Sequence, residues 1–244
     1  MLYRTIIAGF LIMLVSYGCT QQPVKSKLQQ EKTLKPENAG YLLVFTEMRP
    51  NEPESTLRMI ITDKHMRIDE GPQSEDYILF DRSSKVISNV VAEDESIMVI
   101  NPGEQKTKAP FPLRWIIESQ TSQALMRSDN SNEASATHFL YYLNDKPCYN
   151  LVTIDNHLVA TLDAMREYNL VLANELKRNY REMDAQQCYE AINIFDPNLR
   201  LQNGFPLREW SSYGYQRFLV DFKNDVIFPK TMFELPTNYK KFKL

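Results

Sequence analysis

The sequence predicts an α+β fold, a curved antiparallel β-meander covered by a helical pair. Three observations carry that expectation. Between residues 41 and 100, short β-forming runs follow one another closely, with polar turns between them. From 148 to 196 no Gly or Pro interrupts the chain, and apolar residues recur there at intervals of three or four. Several β runs are apolar on both faces, so the sheet needs a second layer to cover it.

The elements follow in order. Residues 41–48 are rich in β-formers. Leu57, Met59 and Ile61 alternate with Arg58, Ile60 and Thr62, and Asp63 and Lys64 make a tight turn into 65–69. Gly71 and Pro72 punctuate the chain. Runs at 77–80, 86–91 and 97–100 are split by the polar segments 81–85 and 92–95, which describes a meander. Asn101, Pro102 and Gly103 end it. Residues 111–117 read as another strand or a packed extended segment, and 120–136, with its clusters of Ser, Asn, Asp and Glu, as a mobile loop. Such a loop is either a lid over a cleft or surface slack.

Runs at 137–143 and 148–154 flank Asn144, Asp145, Lys146 and Pro147, a hairpin signal. Asp155 or Asn156 then caps a helix whose stripe is Leu158, Leu162, Met165, Tyr168, Leu172, Leu176 and Tyr180. A second helix turns Cys188, Ala191, Ile192 and Phe195 inward. Residues 204–207 open a closing β unit, 211–214 turn the chain, 215–222 return it, and 232–235 pack a last segment that Pro236 stops.

The chain has 244 residues, with Lys+Arg 28 against Asp+Glu 31, a formal charge of -3. That balance argues against a nucleic-acid binder held by phosphate neutralisation. One apolar run approaches bilayer length, at residues 6–17, which excludes a multi-span membrane protein. Arg4 precedes that run and a small residue, Gly18, ends it, the layout of a secretory signal. Ser16, Tyr17, Gly18 and Cys19 resemble a bacterial lipobox, departing from it at Ser16, where Leu is usual, and in the bulk of Tyr17. The resemblance implies cleavage after residue 18 and acylation of Cys19. Thr20, rather than Asp, after the Cys implies the outer membrane. The alternative is cleavage elsewhere, with Cys19 a leftover of the signal. Several acyl chains at one site make a stable anchor. The domain plan is a signal at 1–18, a lipidated N-terminus and flexible tether at 19–40, and one α+β domain at 41–244. The Gln-, Lys-, Glu- and Pro-rich tether cannot bury enough apolar area to order itself. Its reach is about 25 Å.

With Cys19 acylated, Cys148 and Cys188 remain, and an exported protein meets an oxidising compartment where two thiols pair most simply. Free buried thiols and a redox pair are the other readings. The pairing constrains shape. A single helix from 157 to 188 would span about 46 Å, against about 20 Å for the strand 148–154. It would carry Cys188 past Cys148, since bonded Cα atoms lie about 5.5 Å apart. A break near 180–185 is therefore expected.

Little else carries chemistry. His65, His138 and His157 have no second His or Cys at ligand spacing, so neither a metal site nor a cofactor is expected. No phosphate-binding loop, zinc-protease or nucleophile-elbow motif occurs. Asp69 with Glu70, and Glu93 with Asp94 and Glu95, read as solvated turn charges sooner than a carboxylate pair or calcium site. Lys240, Lys241 and Lys243 form a basic tail, either frayed or touching anionic headgroups. Tyr141, Tyr142, Trp210, Tyr213, Tyr215 and Phe218 are dense near hairpins, for strand packing or a ligand groove.

Residues 76–81 and 97–100 resemble a set of uncharacterised secreted and lipoprotein-like proteins of Gram-negative bacteria. So do Lys146, Pro147 and Cys148, the helix 162–174, Cys188, residues 204–207 and 233–236, and Tyr239. The resemblance implies no catalytic residues. More loosely, the signal, meander and covering helices resemble the periplasmic lipoprotein carriers, whose half-open β-barrel holds acyl chains against helices. That likeness implies a half-barrel-like sheet.

Together these expectations describe a non-enzymatic lipoprotein of the outer membrane facing the periplasm. It would bind an apolar ligand in the sheet–helix cleft or an envelope partner. An envelope enzyme with a carboxylate-based site and a structural scaffold are the alternatives. An enzyme would show converging ionisable groups in a cleft, a carrier an apolar cavity with few charges, and a scaffold neither.

Overall fold

Alternation of apolar and polar residues builds the first strands, β1 (Ala39–Met48), β2 (Ser55–Thr62) and β3 (His65–Asp69). The computed structural model describes residues 36–104, 106–122, 136–155, 158–178, 180 and 187–244. The turn between β2 and β3 is held by Thr62, whose Oγ1 accepts from the backbone N–H of Lys64 and His65 at 3.3 and 3.0 Å. The meander continues through β4 (Tyr77–Asp81), β5 (Val86–Val91) and β6 (Ser96–Ile100). The loops 82–85 and 92–95 each end on a residue with positive φ, Lys85 at 57° and Glu95 at 46°.

Three further strands follow, β7 (Trp115–Ser122), β8 (Ala136–Leu143) and β9 (Lys146–Ile154). The β8–β9 turn is tighter than the four-residue signal suggests. Asn144 and Asp145 alone form it, at φ 51° and 64°, while Lys146 and Pro147 already belong to β9. The segment expected as a mobile loop is shorter at both ends, because residues 120–122 extend β7 and Ala136 opens β8. Residues 123–135 lie outside the described set, so its middle is not placed.

Helix α1 (Val159–Arg178) begins four residues past Asp155, and Asn156 is outside the described residues. Its first turn is preceded by Leu158 at φ 53°, whose carbonyl accepts from the Thr161 N–H and hydroxyl. Lys177 and Arg178 suit the negative end of the helix dipole. The expected break is present: α2 (Gln187–Glu190) is a separate short helix, continued by a π-helical turn at Ala191–Phe195. Of the expected break at 180–185, Tyr180 is described and is not helical, and residues 181–185 lie outside the described set.

The chain closes with a 3-10 turn at Leu199–Leu201, then β10 (Phe205–Ser211), β11 (Gln216–Ile227), a 3-10 turn at Lys230–Phe233 and β12 (Lys240–Lys243). Two expectations are corrected here. The segment 232–235 is not the last, and the basic tail is not frayed: Lys240, Lys241 and Lys243 lie in β12, paired with β6 from Lys240↔Ser96 to Lys243↔Val99.

Among the described residues twelve strands join one open sheet, in the order β12-β6-β5-β4-β3-β2-β1-β11-β10-β9-β8-β7. Every neighbouring pair is antiparallel except β12 and β6, so the sheet is mixed rather than a pure meander. Two apolar clusters lie along it. In the first, Leu43, Phe45, Met59, Met66, Phe80 and Phe205 pack with Leu162, Ala164, Met165 and Val171 of α1. In the second, Tyr141, Tyr149 and Leu151 meet Ala191, Ile192 and Leu199. A disulfide between Cys148 of β9 and Cys188 of α2, with Cα atoms 5.4 Å apart, ties the short helix to the sheet. Among the described residues no helix is long and apolar enough to cross a membrane.

Candidate functional site

A cleft of about 250 Å³ lies between the sheet and α1. One wall comes from Leu57 and Met59 of β2, Met66 and Ile68 of β3, and Ile78 of β4. The other comes from Met165, Tyr168, Leu172 and Leu176 of α1. The expected apolar stripe of that helix thus supplies both core and cleft: Leu162 and Met165 are buried, while the positions from Tyr168 to Leu176 look into the space. Burial pushes the Tyr168 hydroxyl to about 12, so it stays protonated.

The far end of the cleft is charged. Strand register sets three of its side chains in one row: Glu47 of β1 lies opposite Arg217 of β11, which lies opposite Glu209 of β10. Arg49 follows β1, and Arg200 comes from the 3-10 turn below the row. The contacts run as a chain. Arg49 Nη2 donates to Glu47 Oε2 at 3.1 Å, and Tyr215 Oη donates to Glu47 Oε1 at 2.8 Å. Arg217 lies 3.9 Å from Glu47 and 2.5 Å from Glu209. Arg200 lies 3.8 Å from Glu209 and reaches the Tyr149 hydroxyl at 3.4 Å. Glu47, Glu209 and Arg217 are buried.

Arg200, Glu209 and Arg217 are held ionised by one another. Burial works to raise the Glu209 carboxyl, but the guanidinium groups of Arg217 and Arg200 outweigh it and hold the carboxyl below its ordinary value. Burial works to lower Arg217, and the Glu209 charge reverses that, so it stays charged. Burial is the first cause that keeps Tyr149 and Tyr215 neutral, with Glu209 adding to it. The ion pairs are close without being saturated: Arg200 Nε, Arg217 Nε and Nη2, and both carboxylate oxygens of Glu209 are buried without a well-aligned hydrogen bond.

Beyond the charged row a second cavity of about 630 Å³ opens, lined by Arg49, Pro50, Glu52, Tyr189, Asn193, Arg200, Tyr213 and Tyr215. Arg49, Tyr189, Asn193 and Arg200 belong to both cavities. The arrangement is a two-compartment space with an apolar inner end, a charged seam and a polar, aromatic outer end.

The residues singled out from sequence fall variously. Cys148 and Cys188 are joined; Cys19 and His157 lie outside the described residues. His65 stacks on Phe233 at 5.1 Å, and burial first of all lowers its pKa. His138 stacks on Trp210 at 5.2 Å and pairs with Asn150. Neither histidine lines the cleft. Asp69 is corrected: it is no solvated turn charge but a buried one, accepting from Arg58 Nε and Arg67 Nε, each at 2.7 Å. Glu93, Asp94 and Glu95 are exposed, as expected. Among the described residues no three His, Cys, Asp or Glu side chains gather as metal ligands. The aromatics divide between the two readings. Tyr141 is core and bonds to Asn203, whereas Tyr213 and Tyr215 line the outer cavity. Glu47, Arg200, Glu209 and Arg217 had no signal in the sequence.

No protein-family model and no curated protein matches the chain. An uncharacterized conserved protein from Thermus thermophilus superposes with a TM-score of 0.44 and 9% identity, over 85% of this chain and 91% of that one. Two structures of PNGF-II superpose with TM-scores of 0.40 and 0.41 at 6% and 8% identity. Each covers 84% of this chain, and 31% and 32% of PNGF-II respectively. Likeness at this level transfers no activity.

Proposed function

We propose that this protein is a non-enzymatic carrier of the cell envelope, lipidated at Cys19 and facing the periplasm from the outer membrane, that holds an apolar ligand in the sheet–helix cleft. The observation that carries the reading is the cleft's inner end, whose walls on β2, β3, β4 and α1 are apolar. The sheet would act as a half-barrel, with α1 as the wall that closes the cleft. The pair Cys148 and Cys188 suits an oxidising compartment. A tether reaching about 25 Å would keep the cleft near the membrane from which an apolar ligand is drawn.

An enzyme with a carboxylate-based site is the second reading, favoured by the convergence of Glu47 and Glu209 at the cleft. The chemistry of the row speaks against it. General acid–base catalysis needs a group poised near the working pH, whereas Glu209 is locked ionised between two guanidinium groups and the tyrosines beside it are locked neutral.

The test is native mass spectrometry of the full chain extracted from the envelope. It is paired with binding of the neutral dye diphenylhexatriene to the protein and to its Leu172→Trp variant. The reading expects a mature chain that begins at acylated Cys19, a co-purifying apolar molecule, and dye binding that the added indole blocks. An unacylated chain starting at another residue would overturn the anchoring. Dye binding that ignores Leu172→Trp, or no binding, would overturn the cleft.

A further inference from the structure

We propose that the outer cavity is a binding site for a neutral oligosaccharide, one sugar ring resting on the tyrosines of the β10–β11 turn and α2 while its hydroxyls meet Asn193, Arg49 and Glu52. This site is independent of the apolar cleft of the carrier reading, although the two spaces share walls.

Four observations select that ligand. The first is the lining. Tyr189, Tyr213 and Pro50 supply ring surfaces, and Asn193, Arg49 and Glu52 supply donors and acceptors, whereas no Leu, Ile, Val, Met or Phe is among the described walls. That mixture fits a molecule with C–H faces and a hydroxyl rim: the negative face of an aromatic ring attracts C–H groups, and each hydroxyl both donates and accepts. The second is charge. Arg49 lies 3.1 Å from Glu47 and 3.7 Å from Glu52, Arg200 lies 3.8 Å from Glu209, and Arg217 lies 2.5 Å from Glu209. Three guanidinium groups thus meet three carboxylates, and an ion entering here would be desolvated with no surplus counter-charge to receive it. The third is shape. The rings of Tyr189 and Tyr213 cross at 82° with centroids 5.6 Å apart, so they offer a face and an edge rather than the parallel slot that a flat base fills. β1, β10 and β11 are each paired on both sides, so none of them lends a free strand edge to an extended peptide. The fourth is order in the walls with freedom at the mouth. Tyr215 donates to Glu47 at 2.8 Å, and its N–H donates to Ser211 Oγ at 3.0 Å. Gly214, at φ 91°, lies so close to Pro50 that a Cβ would sit 2.7 Å from the Pro50 Cγ, and Tyr189 follows the bridged Cys188. These ring faces therefore lose little freedom on binding. The side chains of Arg49 and Glu52 are 54% and 59% exposed, free to turn toward hydroxyls. About 630 Å³ gives room for more than one sugar ring.

The experiment titrates the full chain, by calorimetry and by NMR, with two neutral trisaccharides, triacetylchitotriose and maltotriose. Chitotriose, whose free amines make it a cation, trigalacturonate, an anion, and adenosine, a flat base, serve as comparisons. At least one neutral trimer should bind, and at least about tenfold more tightly than any of the three comparisons, the penalty of an unmatched charge or a misfitting plane. Tyr213→Ala should weaken that binding about tenfold, the loss of one ring face. The wild-type chain provides a second measurement in case the variant fails to fold. On adding the trimer, the ring resonances of Tyr189 and Tyr213 and the side-chain amide of Asn193 should shift, while the methyl resonances of Met59 and Met66 in the inner cleft should not. Four results would overturn the site: neither neutral trimer binds, a comparison binds as tightly, binding ignores Tyr213→Ala in a folded variant, or the shifts fall on Met59 and Met66 and leave Tyr213 unmoved. Binding of diphenylhexatriene reports on the inner cleft alone, so the carrier reading stands or falls separately.

Discussion

Glu209 is 1% exposed and sits between two guanidinium groups, so its ionisation is tied to folding. In the unfolded chain it titrates near its ordinary 4.5, and in the native state below that. As pH falls, the unfolded chain takes up the proton first. The stability this carboxylate contributes is present above about 4.5 and is lost as pH drops through the native value. Glu209→Gln should therefore flatten the acid limb of a stability–pH profile. At neutral pH it should cost about 3 kcal/mol by leaving Arg200 and Arg217 facing an uncharged amide. Urea unfolding at about pH 7 and about pH 3.5 measures both effects; an unchanged acid limb would show that the row is not proton-linked. Gly40 gives a second residue-level prediction. A Cβ there would lie 2.1 Å from the Ile61 carbonyl oxygen, an atom of the paired strand that has no room to retreat. Gly40→Ala should destabilise by about 1–3 kcal/mol, read as a lower urea midpoint. An unaltered midpoint would mean that β1 and β2 can part locally. Nothing in the sequence marked the charged row. Glu47, Arg200, Glu209 and Arg217 have no periodic spacing, and only the β1–β11–β10 register makes neighbours of three of them.

At the scale of elements, legibility followed the strength of alternation. β3 and β5 run over the residues their patterns suggest, and the α1 stripe is plain, because its apolar residues recur at three and four and meet the sheet's core cluster. β12 was hidden: in Lys240–Lys243 three of four residues are Lys, a composition that reads as a solvated tail until the open edge of β6 is known. The outer half of β11 was hidden too, because Asp221, Lys223, Asn224 and Asp225 break its apolar pattern while β1 still supplies the backbone pairing. The disulfide was foreseeable, and its mechanical role follows from what it holds. The sequence separation of 40 gives a loop-closure contribution of about 4 kcal/mol in the chain-entropy model. The tethered helix and π turn carry Tyr189 and Asn193, walls of both cavities. Cys148→Ser with Cys188→Ser should speed hydrogen exchange in residues 187–195 and leave β1 to β6 protected. Exchange raised evenly over the whole sheet would mean instead that the crosslink stabilises the fold globally and does not guard the cleft.

Across the whole molecule, the open sheet has two edges of opposite character, and this decides how the protein meets itself. At one end β12 presents three Lys and is fully exposed; it covers β6, whose Ile97 and Ile100 belong to the core. Its end is pinned where the Leu244 carbonyl accepts from Arg178 at the foot of α1. At the other end β7 has, among the described residues, no strand beyond it, with Ile116 and Ile117 43% and 42% exposed, and Glu118 is the one charge among its residues. Lysine-bearing edges repel further strands, whereas flat apolar edges invite them. On the proposed anchoring the chain would be locally concentrated, and edge pairing would then matter more for it than for a dilute soluble protein. Removal of residues 237–244 should expose the β6 edge and raise self-association sharply at unchanged ionic strength. Ile117→Lys, at the opposite edge, should lower any association the intact chain shows. Light scattering against concentration reads both variants. If the truncated chain stays monomeric, β12 is an ornament on an edge that twist and short strand length already protect, and the pairing of Lys240–Lys243 with β6 contributes little to solubility.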